Sequence, residues 1–173
     1  MTVMGHIAAS YLVSQSVRLV GLHITPQESA LVIIAGTILD LDALPLWLKG
    51  RIGMQHHALP THTPLAIFAG WTIFKLITGR MFPTPVHVLM IVSGLLHLAM
   101  DDSGYWLAKK RLQRNTPVPQ ITWMYPFRNT MIDRFAKDGA VSAAVEYVRG
   151  AKVSIVLEAS IVLTAIWVMM RLR

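Results

Sequence analysis

The sequence predicts an all-α protein that lies in a membrane as a polytopic bundle of four or five membrane helices, with an interfacial segment on the cytoplasmic side. Hydrophobic residues make up 54% of the 173 residues and charged residues only 14%, against roughly 25% in soluble domains. Five apolar runs follow one another along the chain, at 4–22, 28–48, 64–77, 85–106 and 153–170. Because a bilayer is crossed by about 20 apolar residues, runs of this length favour membrane helices. The whole chain, 1–173, is expected to form one domain.

The five runs differ in strength. The first is the weakest, because Ser14, Gln15, Ser16 and Arg18 interrupt it. The third is short for a full span, although its start is well marked. Thr63 suits an N-cap position there, and the proline after it suits the first helical position. The bundle is therefore expected to have four or five membrane helices.

Positive charge is concentrated between the fourth and fifth runs. The chain has a net charge of +7, and most of its basic residues lie within 109–152. Next to apolar spans, this pattern predicts a cytoplasmic connection that contacts anionic lipids rather than nucleic acid. Residues 129–149 are expected to form an amphipathic helix on the membrane surface. Three aromatic residues before it suit an interfacial belt: Trp123, Tyr125 and Phe127.

Successive membrane spans cross in opposite directions, so the cytoplasmic connection fixes the side on which every other connection lies. This places most histidines and aspartates that could bind a metal on one side of the membrane. The candidates on the cytoplasmic side are His6, Asp40, Asp42, His57, His62, His97 and Asp101. His23 and His87 are placed on the opposite side. The sequence therefore predicts one functional site, at the cytoplasmic edge of the bundle.

The strongest single signal is the pair His97 and Asp101, four residues apart in an apolar run. This spacing puts both side chains on one helix face, and ionisable groups in a membrane span are costly enough to indicate a function. The chain has no cysteine, so a metal would be bound by imidazole and carboxylate groups. We expect a divalent ion, with zinc first and manganese or iron as alternatives. Seven candidate ligands exceed one four-coordinate site, so two ions are an option.

The expected metal ligands are Asp40, His57, His62, His97 and Asp101. His6 and Asp42 are expected to be further ligands or acid–base groups. A pair of divalent ions would acidify a water molecule and polarise the oxygens of a phosphate or ester. The favoured function is hydrolysis of an ester or phosphoester, with a lipid or lipid-linked substrate.

Four short motifs in order resemble a known family. They are Gly5-His6, Leu39-Asp40-Leu41-Asp42, the segment 57–63, and His97-Leu98-Ala99-Met100-Asp101. The chain resembles the YdjM-type (DUF457) membrane-bound proteins over residues 1–127, whereas 128–173 lie outside the resemblance. That family is described as metal-dependent hydrolases, LexA-regulated proteins of the bacterial inner membrane. The resemblance implies the same activity and location for this chain.

The chain departs from the family pattern at four positions. Leu39 stands in place of proline, Ala43 of histidine, Ala58 of arginine and Thr63 of serine. The arginine could bind a phosphate group, so its loss leaves the substrate and the activity itself open.

Two other classes of function stay open. One is a metal or proton transporter that uses the intramembrane imidazole and carboxylate groups as a relay. Against it, the outer halves of the spans hold little polar chemistry beyond His23 and His87. The other is a catalytically silent membrane protein that acts through interactions, since each motif alone could be a solvated helix end or a polar loop.

Overall fold

The computed structural model describes residues 2–42, 59–110, 112, 121–127, 149 and 151–172. Regular structure within these ranges is entirely helical, so the predicted all-α class is confirmed for the described part of the chain. The five α-helices are α1 Val3–Ser16, α2 Pro26–Thr37, α3 Pro64–Thr78, α4 Thr84–Lys109 and α5 Lys152–Arg171. Short 3₁₀ turns follow α1 at Val17–Val20 and α2 at Ile38–Asp42.

Threonine side chains begin the first three helices. Thr2 and Thr63 each accept a hydrogen bond from the backbone N–H three residues later, as expected of N-caps. Thr25 forms a reciprocal pair with Glu28, in which each side chain accepts from the other residue's backbone N–H. The start predicted for the third run at Thr63 and Pro64 is the start of α3.

The helices run alternately up and down. Helices α1, α2 and α4 pack against one another, α3 packs on α4, and α5 lies along α1. The first turn of α1, the turn after α2 and the second half of α4 meet at one end. The segment before α3 contacts this end through His62, and α5 reaches it through Glu158. Each of the five described helices therefore has one terminus at the same end of the bundle, which positions the site.

Among the described residues, two helices are long and apolar enough to cross a membrane, α4 with 26 residues and α5 with 20. The expectation of four or five spans exceeds this number among the described residues. The first run ends as an α-helix at Ser16 and continues as a 3₁₀ turn, which stops where Gly21 takes a φ of 75°. The second run leaves the α-helix at Thr37, and 43–48 lie outside the described residues. The third helix has 15 residues.

Polar groups lie inside the bundle and large apolar side chains lie outside it. Buried polar residues include His6, His62, His97, Asp101 and Asp102. On the outside, Leu163, Trp167 and Met170 of α5 are each more than half exposed. These polar groups are buried beside apolar side chains such as Val32 and Leu98. The exposed apolar side chains of α5 fit a helix that could cross a membrane.

Small residues let the three central helices approach closely. A side chain at Gly36 of α2 would overlap the hydroxyl groups of Ser10 in α1 and Ser93 in α4. Further along, the Ser14 and Ser29 hydroxyls form a hydrogen bond of 2.7 Å between α1 and α2. Small and hydroxyl-bearing residues at helix crossings are characteristic of packing in membranes. The serines that weakened the first run in the sequence thus bind the helices to one another.

Candidate metal centre

Three helical elements bring two imidazoles and two carboxylates together at one end of the bundle. His6 lies in the first turn of α1, Asp40 in the turn after α2, and His97 and Asp101 one turn apart in α4. One ligand atom from each of the four lies within 4.8 Å of all the others. Ligands of a single ion are about 3 to 4 Å apart when each bond is about 2.0 to 2.2 Å. This four-residue cluster could therefore bind a metal ion.

Asp101 faces the Nε2 atoms of both imidazoles. Its Oδ1 is 3.0 Å from Nε2 of His6, and its Oδ2 is 3.0 Å from Nε2 of His97. The Asp101 side chain and both rings are almost completely buried. A buried carboxylate needs a compensating positive charge or hydrogen-bond donors. Each oxygen of Asp101 therefore faces the Nε2 atom of one histidine, and Asp101 is the centre of the cluster.

The orientation of the His97 ring is fixed from α2. Its Nδ1 donates to the backbone carbonyl oxygen of Gly36 at 2.7 Å. Because Nδ1 carries the proton, Nε2 of the neutral ring presents a lone pair. That Nε2 lies 3.0 Å from Oδ2 of Asp101 and 3.7 Å from Oδ1 of Asp40 without a hydrogen bond. A lone pair facing two carboxylate oxygens is repulsive unless a proton on Nε2 or a metal cation lies among them. Metal-binding imidazoles are commonly held by a carbonyl on the other nitrogen.

A second pair of polar side chains lies beside the cluster. Nδ1 of His62 is 2.9 Å from Oδ2 of Asp42, and the hydroxyl of Thr61 donates to the same carboxylate oxygen. The His62 ring is fully buried, and its centroid is 5.4 Å from that of His97. The pair is therefore next to the four-residue cluster without being part of it.

The structure places the predicted site residues in three groups. Asp40, His97 and Asp101, predicted as ligands, lie in the four-residue cluster together with His6, for which an acid–base role was also considered. His62 and Asp42 form the neighbouring pair. His57, the remaining predicted ligand, lies outside the described residues.

Three other polar residues noted in the sequence are explained by their contacts. His23 is exposed in the connection between α1 and α2. His87 lies at the start of α4, at the other end of the bundle, where its buried ring contacts those of Trp71 and Phe74. Asp102, the residue after Asp101 in α4, accepts a 3.0 Å hydrogen bond from the indole N–H of Trp123.

Gly36 was not recognised from the sequence. Its contribution comes from a backbone carbonyl, which every residue has, and from the close crossing of three helices. A glycine between two apolar stretches gives no indication of which side chain its carbonyl will accept from. The available signal was the glycine itself, which in a membrane helix indicates a close helix contact.

Comparison of the chain with protein-family models, with curated proteins and with solved structures found no match.

Proposed function

We propose that the protein is a multi-pass hydrolase of the bacterial inner membrane that cleaves an ester or phosphoester in a lipid or lipid-linked substrate, with a divalent metal ion in the four-residue cluster. The observation that carries this proposal is the position of His97 Nε2. It points at carboxylate oxygens of Asp101 and Asp40, while Nδ1 of the same ring donates a hydrogen bond to the Gly36 carbonyl.

The donor set fits a divalent ion. Two ionised carboxylates and two neutral imidazoles supply oxygen and nitrogen ligands with a total charge of −2, which one divalent ion neutralises. Such ligands suit zinc, and they also suit manganese and iron. When bound, the ion would act as a Lewis acid that polarises the carbonyl or phosphoryl oxygen of a substrate.

The neighbouring pair supports proton transfer at the same place. The Thr61 hydroxyl donates to Asp42, and the Asp42 carboxylate contacts Nδ1 of His62. This contact fixes the orientation of the His62 ring, as in other carboxylate–imidazole pairs. The other nitrogen of His62 is then suited to take or give a proton during hydrolysis. Should the centre hold two ions, the same pair would be the source of ligands for the second.

The surroundings of the cluster favour a lipid-linked substrate on the cytoplasmic side. The cluster lies toward the end of α4 that carries Lys109 and Lys110, and positive residues are enriched on the cytoplasmic side of membrane helices. Exposed apolar side chains on α4 and α5 would contact acyl chains. A substrate that diffuses in the bilayer would meet the site where its polar head group lies.

The proposal is tested by assaying purified protein in liposomes against lipid phosphates and a chromogenic phosphodiester. We expect hydrolysis that stops on chelation, returns when zinc or manganese is added, and is lost in Asp101→Asn. His23→Ala is the matched control, because that histidine is exposed and away from the cluster. Activity that survives both chelation and Asp101→Asn would refute the proposal.

A transporter is the second candidate, because the cluster alternates imidazole and carboxylate in the order His6, Asp101, His97, Asp40. Such an alternation can pass protons. Liposomes containing a pH-sensitive dye distinguish the two functions. Metal-driven or pH-driven flux without hydrolysis would favour transport.

A further inference from the structure

Glu158 is a buried carboxylate that neither the metal cluster nor the neighbouring pair uses. It lies near the start of α5, a helix whose other side chains are mostly apolar and exposed, and it is 9% exposed itself. A carboxylate in such a helix is costly. Its position on the side of α5 that packs against α1 indicates a specific role there.

The partner of Glu158 is the N-terminus of α1. Its Oε1 accepts from the backbone N–H of Thr2 at 3.1 Å and also from the Thr2 hydroxyl. Thr2 is the N-cap of α1, and its hydroxyl oxygen accepts from Gly5 N–H at 3.4 Å. The negative charge also lies where the helix dipole of α1 is positive. Glu158 therefore fixes the first turn of α1 from the neighbouring helix.

Gly5 makes this contact possible. A Cβ atom at Gly5 would lie 3.0 Å from Cγ and from Oε1 of Glu158, closer than such atoms normally approach. The missing side chain lets the carboxylate lie on the first turn of α1. The next residue is His6, whose backbone N–H donates to the Thr2 carbonyl oxygen in that turn.

We propose that Glu158 is a positioning residue for His6. It holds the turn that carries His6 so that the imidazole nitrogen stays 3.0 Å from Asp101. The proposal rests on the proposed metal centre, because positioning of His6 matters for function only if His6 serves that centre. Gly5 and Glu158 act together in this role, because the absence of a side chain at Gly5 leaves the space that the Glu158 carboxylate occupies.

The test is a double-mutant comparison in full-length protein, with Co²⁺ alone as the probe and its visible absorption spectrum as the readout. Glu158→Met removes both acceptor oxygens and keeps an unbranched side chain suited to a membrane helix. We expect Co²⁺ affinity to fall about tenfold, as for residues that orient a metal ligand, with a changed spectrum. Glu158→Gln, which keeps one acceptor oxygen, should restore much of the affinity. Ser160→Ala, an exposed change on the same helix, is the matched control and should bind like the wild type.

The decisive comparison is with His6→Ala. If Glu158 acts through His6, the double variant Glu158→Met/His6→Ala should bind Co²⁺ as weakly as His6→Ala alone. Losses that multiply, or a Glu158→Met protein that binds Co²⁺ with wild-type affinity and spectrum, would overturn the positioning role and leave the metal centre standing. Gly5→Ala, which pushes the carboxylate away, should weaken binding in the same way. A wild-type protein that binds no Co²⁺ would refute the metal centre and this role together.

Discussion

The imidazole rings of His6 and His97 are stacked, with centroids 3.9 Å apart and planes inclined by 25°. Two rings this close repel each other when both are protonated, so the two rings do not both carry a charge. Their Nε2 atoms face the two oxygens of Asp101, at 3.0 Å each. Neutral imidazoles beside an ionised carboxylate are the protonation states that metal binding requires.

The first prediction concerns Asp101. The change Asp101→Asn keeps the shape of the side chain but replaces an anionic ligand that both histidines face. We expect metal affinity to fall at least about a hundredfold, more than the loss typical of residues outside the ligand set. The metal-free protein should be no less stable, because a buried charge has been removed. Metal content after dialysis and thermal unfolding in detergent measure the two effects, and retention of wild-type metal content would contradict the assignment.

The second prediction concerns the crossing of α1, α2 and α4. In Gly36→Ala, the added methyl group would overlap the hydroxyls of Ser10 and Ser93, so the helices must separate. We expect a loss of about 1–3 kcal/mol in the free energy of unfolding, and weaker metal binding because the carbonyl that holds His97 moves.

Gly70→Ala is the matched control for that change. Gly70 lies within α3 with no atom in reach of an added Cβ, so alanine there should be neutral or stabilise the helix by up to about 1 kcal/mol. A Gly36→Ala protein as stable as Gly70→Ala would show that the close crossing does not exist.

The third prediction separates the two ends of the bundle. His87 is buried against Trp71 and Phe74, far along α4 from His97. His87→Ala should lower stability by about 1 kcal/mol through lost packing and leave metal content unchanged, whereas His97→Ala should abolish metal binding. The reverse result, with metal lost only in His87→Ala, would contradict this assignment and place the site at the end of the bundle that holds His87.

The fourth prediction concerns the membrane. At 1.5 Å per residue, the 26 residues of α4 extend about 39 Å, enough to cross a hydrocarbon core of about 30 Å. The chain has no cysteine, so single cysteines can be introduced cleanly. Thr84→Cys should react with an impermeant thiol reagent from outside the cell, and Lys110→Cys only after the membrane is opened. Labelling of both from the same side would contradict a crossing by α4.

Those parts of the site that depend on spacing along one helix could be predicted from the sequence. His97 and Asp101 were predicted to share a face because they are four residues apart, and their side chains are 3.0 Å from each other. The convergence of Asp40 with them could be inferred from the alternating direction of the apolar runs. His6 was harder to assign, since its role depends on how far α1 extends into the end of the bundle.

Contacts between segments that are far apart in the chain could not be predicted from patterns within a single segment. In the sequence, Glu158 is a single charged residue in an apolar run, and its partner Thr2 lies at the other end of the chain. The expected number of spans exceeds the two candidate spans among the described residues, because 3₁₀ turns at 17–20 and 38–42 end the α-helices of the first two runs early. Apolar composition does not distinguish an α-helix from the 3₁₀ turn that follows it.

The central claim is that His6, Asp40, His97 and Asp101 bind one divalent ion. X-ray absorption fine structure of the zinc-loaded protein tests it most directly, because it counts the ligands by type and distance. We expect two imidazole nitrogens at about 2.0–2.1 Å, carboxylate oxygens at about 2.0–2.2 Å and no sulfur, with one imidazole lost in His97→Ala. Zinc surrounded only by oxygen, or a spectrum that His97→Ala leaves unchanged, would contradict it.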